Sequence, residues 1–139
     1  MDLDQIVREI RLAGPAWKER SLGAESRGSI DSANAEEIRR IGAHRLTQPF
    51  DFGGAQSSIE DHMRAVAVAG EYCMSTAWCL GVWSAHNWMA SHFPAEGQHD
   101  FWEDPRTLIS ASIVPKTKFK AVGQDVLVSG RFSFGSGCD

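Results

Sequence analysis

His86, in the run GVWSAHNW, is the side chain best placed by type to take or give a proton near neutral pH. Read alone, it is a core histidine hydrogen-bonded to a neighbour. A metal pair with His92 fails on geometry, because the two are six positions apart, about 240° around a helix at ~100° per residue, and the rings point apart. His99 lies beyond Pro94. Ser110 and Ser112 stand two apart in ISASIVP, so on a strand they face one side; the plainer alternative is a solvent-facing polar stripe. Ser136 sits between Gly135 and Gly137 in FGSGCD, where the missing side chains let backbone approach a planar ring closely. The plainer alternative there is a glycine turn. Trp78, Trp83 and Trp88 are spaced at five and five, off any single helical stripe, which assigns most of them to the core. Lys116, Lys118 and Lys120 alternate on one strand face and read as a solvated edge that discourages sheet pairing, with anion contact a minor alternative.

The elements that carry these residues follow from periodicity. Leu3, Ile6, Val7 and Ile10 predict a first helix after Asp2, stopped by Gly14-Pro15. A second, polar helix starts at Pro15 or Ala16 and fades between Gly23 and Ser32. Asn34 with Glu37 three residues on is a capping-box pattern for a third helix, with Ile38 and Ile41 on its buried side. TQPFDFGGAQSS, positions 47 to 58, is a loop. Ser58, followed by Glu60 and Asp61, opens a long helical region with Ile59, Met63, Val66 and Gly70 on the inner face. Ser75-Thr76 restarts a helix through STAWCLGVWSAHNWMASHF, apolar around most of its circumference and therefore buried. Pro94 ends it, and a short helix covers Ala95 to Trp102.

From Thr107 the pattern alternates: LISASIVP, then KTKFKAV, then a turn at Gly123-Gln124-Asp125, then VLVSGRFSF with at least one buried face. Helices first and strands last predict an α+β fold. An all-helical N-terminal domain over residues 1–105 leads into the start of a β-domain over 106–139.

The bulk properties bound the function. The chain has 139 residues, 42% hydrophobic and 23% charged, enough for a buried core. A net charge of -4 argues against a phosphate backbone as partner, so no nucleic acid is expected. Cys73, Cys79 and Cys138 form no C-x-x-C pair, which suggests neither a disulfide framework nor a zinc knuckle and fits a reduced, cytoplasmic setting. MDLDQIVREI lacks the basic start and apolar stretch of a secretory signal. No segment reaches the ~18 uninterrupted apolar residues of a membrane span, so no membrane association is expected.

Three segments together carry a resemblance: PFDFGG at 49–54, the tract from Trp78 to Pro94, and FWEDPRTLISASIVP followed by VSGRFSFGSGCD. The chain resembles the front of the acyl-CoA dehydrogenase superfamily, and within it the oxygenase components of two-component flavin-dependent monooxygenases such as the p-hydroxyphenylacetate hydroxylases. That resemblance implies further β-structure and a C-terminal helical bundle, absent here, which would complete the flavin site and a homo-tetramer. It implies reduced flavin, FMN or FAD, supplied by a separate flavin reductase, with molecular oxygen and a small phenolic or related aromatic substrate. By the same resemblance His86 and Ser112 meet the phenol hydroxyl, with Ser110 beside them, while Ser136 and Trp78 stand at the flavin. The same-fold alternatives are an acyl-CoA dehydrogenase or another flavoenzyme; the alternative in a different class is a non-catalytic interaction module.

Overall fold

The computed structural model describes residues 2–113 and 118–138. Five α-helices, two short 3-10 turns and one β-hairpin follow one another in that span.

Helix α1 runs from Leu3 to Arg27, straight through the proline expected to end it. A helix-interior proline removes one hydrogen bond and costs on the order of 3 kcal/mol. Here its ring points to solvent, while Ile6, Val7, Ile10, Gly14, Trp17 and Ala24 keep one buried face on both sides of it. Trp17 anchors the second half, its indole N–H donating to Glu37 Oε2 at 2.6 Å.

Helix α2, Ser32–Ile41, is capped by Asp31, whose side chain accepts from Ala33 N, and not by Asn34. Asn34 lies inside the first turn, buried, with its Nδ2 donating to Thr76 Oγ1 at 2.9 Å and its Oδ1 accepting from Arg20 at 2.8 Å. A residue that looks like a cap is thus a polar tie between helices. Ile38 and Ile41 are buried as their spacing predicts.

Helix α3, Ile59–Gly70, begins where Ser58 accepts from Asp61 N. Its inner face differs from the expected one: His62, Ala65, Val68 and Ala69 are buried, whereas Ile59 and Met63 are exposed. Small side chains face inward because α3 packs against both α1 and α4, and alanines let helix axes approach closely.

Helix α4 spans Met74–Ala90, with Cys73 at its N-cap. It is less enclosed than its composition predicts. Leu80, Trp83, Ser84, His86 and Asn87 are buried, while Met74, Trp78, Trp88 and Met89 are exposed. Helix α5, Ala95–Trp102, follows Pro94 and inserts Trp102 into the core, its indole donating to Asn87 Oδ1 at 2.6 Å.

Strands β1, Lys118–Val122, and β2, Asp125–Ser129, pair antiparallel from Lys118↔Ser129 to Val122↔Asp125. The loop is two residues, Gly123-Gln124, the length that best matches strand twist. Both strands are exposed on both faces, against the expectation of a buried one. Residues 107–113 form no strand ladder, and β2 stops at Ser129, well short of Phe134. The rest of the predicted LISASIVP strand, and Lys116, lie outside the described residues. Among the described residues no helix is long and apolar enough to cross a membrane.

Candidate functional site

Two side chains three residues apart on α4 hold the two segments that carry the candidate serines. Trp83, 3% exposed, donates its indole N–H to Gly137 O at 3.0 Å. One turn on, His86, 7% exposed, places Nδ1 2.9 Å from Ile109 O. A carbonyl can only accept, so Nδ1 carries a hydrogen and donates to it. His86 is therefore a core histidine with one nitrogen spent on structure.

Ser110 and Ser112 do face one side, as their spacing predicts, but that side is occupied by protein. Ser110 Oγ donates to Ser136 O at 2.9 Å, and Ser112 Oγ donates to Ser133 O at 2.7 Å. Each hydroxyl keeps its lone pairs as acceptors while its proton is committed to the segment bearing Ser136.

The segment leading to these serines is tied to the helices along its length. Asp104 Oδ1 accepts from Arg106 N at 2.8 Å. Pro105 O lies 3.2 Å from His44 Nε2, and Arg106 O accepts from Arg39 Nε at 3.1 Å. The Arg106 guanidinium meets Glu36 at 2.5 Å. Hydrogen bonds from Arg106 first, and then from Arg39, hold the Glu36 carboxyl below its usual range. Nothing in the local sequence marks His44 or Arg39 for this work, since their partners lie 61 and 67 residues away.

Beside this strap, a groove of about 1010 Å³ runs between α1, the start of α4 and the turn at Ser136. Trp78, 63% exposed on α4, and Ser136 both line it, with Met74, Trp83, Leu108 and Gly137. The structure thus brings Trp78 and Ser136 to one groove. His86 and Ser112 do not line it. An adjoining polar pocket of about 640 Å³ is shared by Arg39, Arg106, Thr107 and Ser110. Of the three tryptophans on α4 only Trp83 is core; Trp88 is 57% exposed and stacks edge-on against His92 at 4.6 Å.

The groove sets apolar surface from Met74, Trp78, Trp83 and Leu108 beside several hydroxyls, Ser136 among them, and such a mixed lining suits a planar heteroaromatic ligand, which gains from both stacking and hydrogen bonds. Comparison with known proteins gives that chemistry a context. The chain is 30% identical, over 132 residues and 93% of its length, to the oxygenase component of an FADH(2)-dependent resorcinol hydroxylase from Rhizobium sp. (strain MTP-10005), of which it covers 32%. Its fold matches the HsaA monooxygenase from M. tuberculosis with a TM-score of 0.93 at 27% identity, over 99% of this chain and 38% of that one. The chain is related to the oxygenase components of flavin-dependent monooxygenases. A further member of that group, the oxygenase component of p-hydroxyphenylacetate 3-hydroxylase from Acinetobacter baumannii, is 27% identical over 96% of the chain. The chain spans about a third of the length of these oxygenase components. No family model matches it.

Proposed function

We propose that the chain is the N-terminal portion of an oxygenase component that inserts one oxygen atom into a phenolic or related aromatic substrate, using reduced flavin delivered by a partner reductase. The observation that carries this reading is the shared groove of Trp78 and Ser136 in a fold that superposes on HsaA over 99% of the chain. The residues fit a flavin ring: Trp78 and Leu108 offer apolar surface, and Ser136 a hydroxyl. When bound, the flavin supplies the activated oxygen.

The protein's own share is positioning and proton handling. Trp78 covers ring surface and keeps water from it. Ser136 donates or accepts at the ring's polar edge. His86, with Nδ1 donating to Ile109 O, offers Nε2 to accept the proton of a phenol hydroxyl, leaving a more electron-rich ring. Ser112 Oγ donates to Ser133 O in this state, and by turning that proton to the phenol oxygen when substrate binds it would fix the orientation of the same group. Ser110 is a weaker candidate for substrate contact, since its hydroxyl serves Ser136 O. Residues 1–105 would form the helical domain and 106–139 the start of the β-domain, in a protein that assembles as a tetramer.

The test is a full-length enzyme with reductase, reduced flavin and a panel of phenols. Oxygen consumption with hydroxylated product is expected, and His86→Ala should cut hydroxylation by about 10²-fold, the lower range for a general base, with flavin affinity unchanged. Desaturation of an acyl-CoA without hydroxylation would overturn the reading. A second reading, a chain that binds ligand without turning it over, is favoured by one observation: His86 and Ser112 stand outside the groove. It predicts flavin binding with no product.

A further inference from the structure

The turn carrying Ser136 has its backbone carbonyls accounted for one after another. Gly135 O accepts from Cys138 N at 3.3 Å, Ser136 O from Ser110 Oγ at 2.9 Å, and Gly137 O from Trp83 Nε1 at 3.0 Å. Only the first of these bonds is local. The other two reach to the strap and to α4, so the turn is held from outside itself. Gly137 lies against the Trp83 ring with φ +75, and a Cβ there would come within 2.4 Å of Trp83 Nε1. Glycine is therefore required twice over, by backbone conformation and by the indole it lies against. Ser136, between the two outside ties, is one of the residues that line the groove.

We infer that Trp83 and Ser110 are positioning residues: together they clamp the 135–138 turn and aim the Ser136 hydroxyl into the groove. Trp83 acts through the Gly137 carbonyl and Ser110 through that of Ser136; neither hydrogen bond involves the ligand. The spacing that made Trp83 look like filler conceals this, because its useful atom is the indole nitrogen and its partner is 54 residues away. The clamp is a property of the protein, and its link to flavin rests on the function proposed above.

The test uses amide hydrogen exchange at Cys138, whose N–H is bonded to Gly135 O, followed by NMR in the 139-residue chain, and anaerobic titration of the full-length enzyme with reduced FMN and reduced FAD. Trp83→Phe keeps a ring and deletes the donor. Exchange in the turn should rise about fivefold or more, the factor that one net hydrogen bond commands, while the Leu80 amide inside α4 is unchanged. Gly137→Ala, which pushes the turn off the indole without altering α4, should give the same result and guards against a Trp83→Phe chain that fails to fold. Flavin affinity should fall by a similar factor in Trp83→Phe and in Ser136→Ala, and by no more in the double variant, because both act through one hydroxyl. A purely structural role for Trp83 would give additive losses, and that outcome overturns the inference, as does unchanged exchange in both variants. If the turn loosens but the unaltered full-length enzyme binds neither flavin, the clamp stands and the flavin reading falls.

Discussion

His44 makes the stability of this fold fall in mild acid, by an amount the structure allows one to work out. The ring is buried where the first 3-10 turn follows α2, with Nε2 3.2 Å from Pro105 O. That bond puts the hydrogen on Nε2, and a second proton would have to go to Nδ1, which is buried and has no hydrogen-bond partner. Burial is the largest cause pushing the pKa down, from 6.5 to about 4, and the nearby Arg45 and Arg39 charges push the same way. The Pro105 carbonyl, and to a smaller extent that of Ile38, oppose them only in part. A histidine whose folded pKa is depressed is held neutral by the fold, so the unfolded chain binds the proton more readily. Its contribution is therefore intact above 6.5 and declines as pH falls toward 4. Between pH 7 and pH 5 the loss is about 2 kcal/mol. The assay is urea unfolding at both pH values for the parent chain and for His44→Gln, whose amide N–H can still reach Pro105 O but does not titrate. His62, also pushed down by burial, adds to the acid loss in both proteins and cancels in the difference. The parent should lose about 2 kcal/mol more than the variant; equal losses would refute the assignment of the effect to His44.

Two further outcomes test the packing beneath the site. Asn87 is fully buried and donates to His44 O at 2.8 Å and Trp83 O at 3.2 Å while accepting from the Trp102 indole. Asn87→Leu strands two of these groups and should cost roughly 2–4 kcal/mol in urea unfolding, since buried polar groups without partners carry their full desolvation penalty; a loss below half of that would show that the network relaxes. At Gly54 a Cβ would fall 1.9 Å from Gln48 O, against 3.5 Å from Val66 Cγ2 at Gly81. Gly54→Ala should lower the melting temperature sharply, and Gly81→Ala should leave it unchanged or raised, because Gly81 is helical and alanine is the better helix former. Equal melting temperatures would contradict the close approach.

How much of this was legible beforehand depends on how far each determinant lies from its partner along the chain. The start of α3 at Ser58 and the span of α5 after Pro94 were readable because cap and breaker act within a few residues. Pro15 misled because its local rule is sound but was outweighed: the buried positions 6, 10, 14, 17 and 24 continue across it, and burying Trp17 against Glu37 repays one lost helix hydrogen bond. The face of α3 was misread for a related reason. Side-chain size suggested Ile59 and Met63, but closeness to α1 and α4 selects Ala65 and Ala69, and no periodicity records interhelical distance. At the site the same division holds. A two-residue spacing suggests that Ser110 and Ser112 face together, and both do reach one segment although no strand ladder forms there, but that their protons are spent on Ser136 O and Ser133 O depends on that segment, more than twenty residues away. The exposed hairpin shows the converse. Val126 and Val128 alternate with Leu127 and Ser129 as a half-buried strand should, yet every one of these positions is exposed. Alternation reports which residues could be covered together, and covering them takes a second surface, which the sequence of a single strand does not encode.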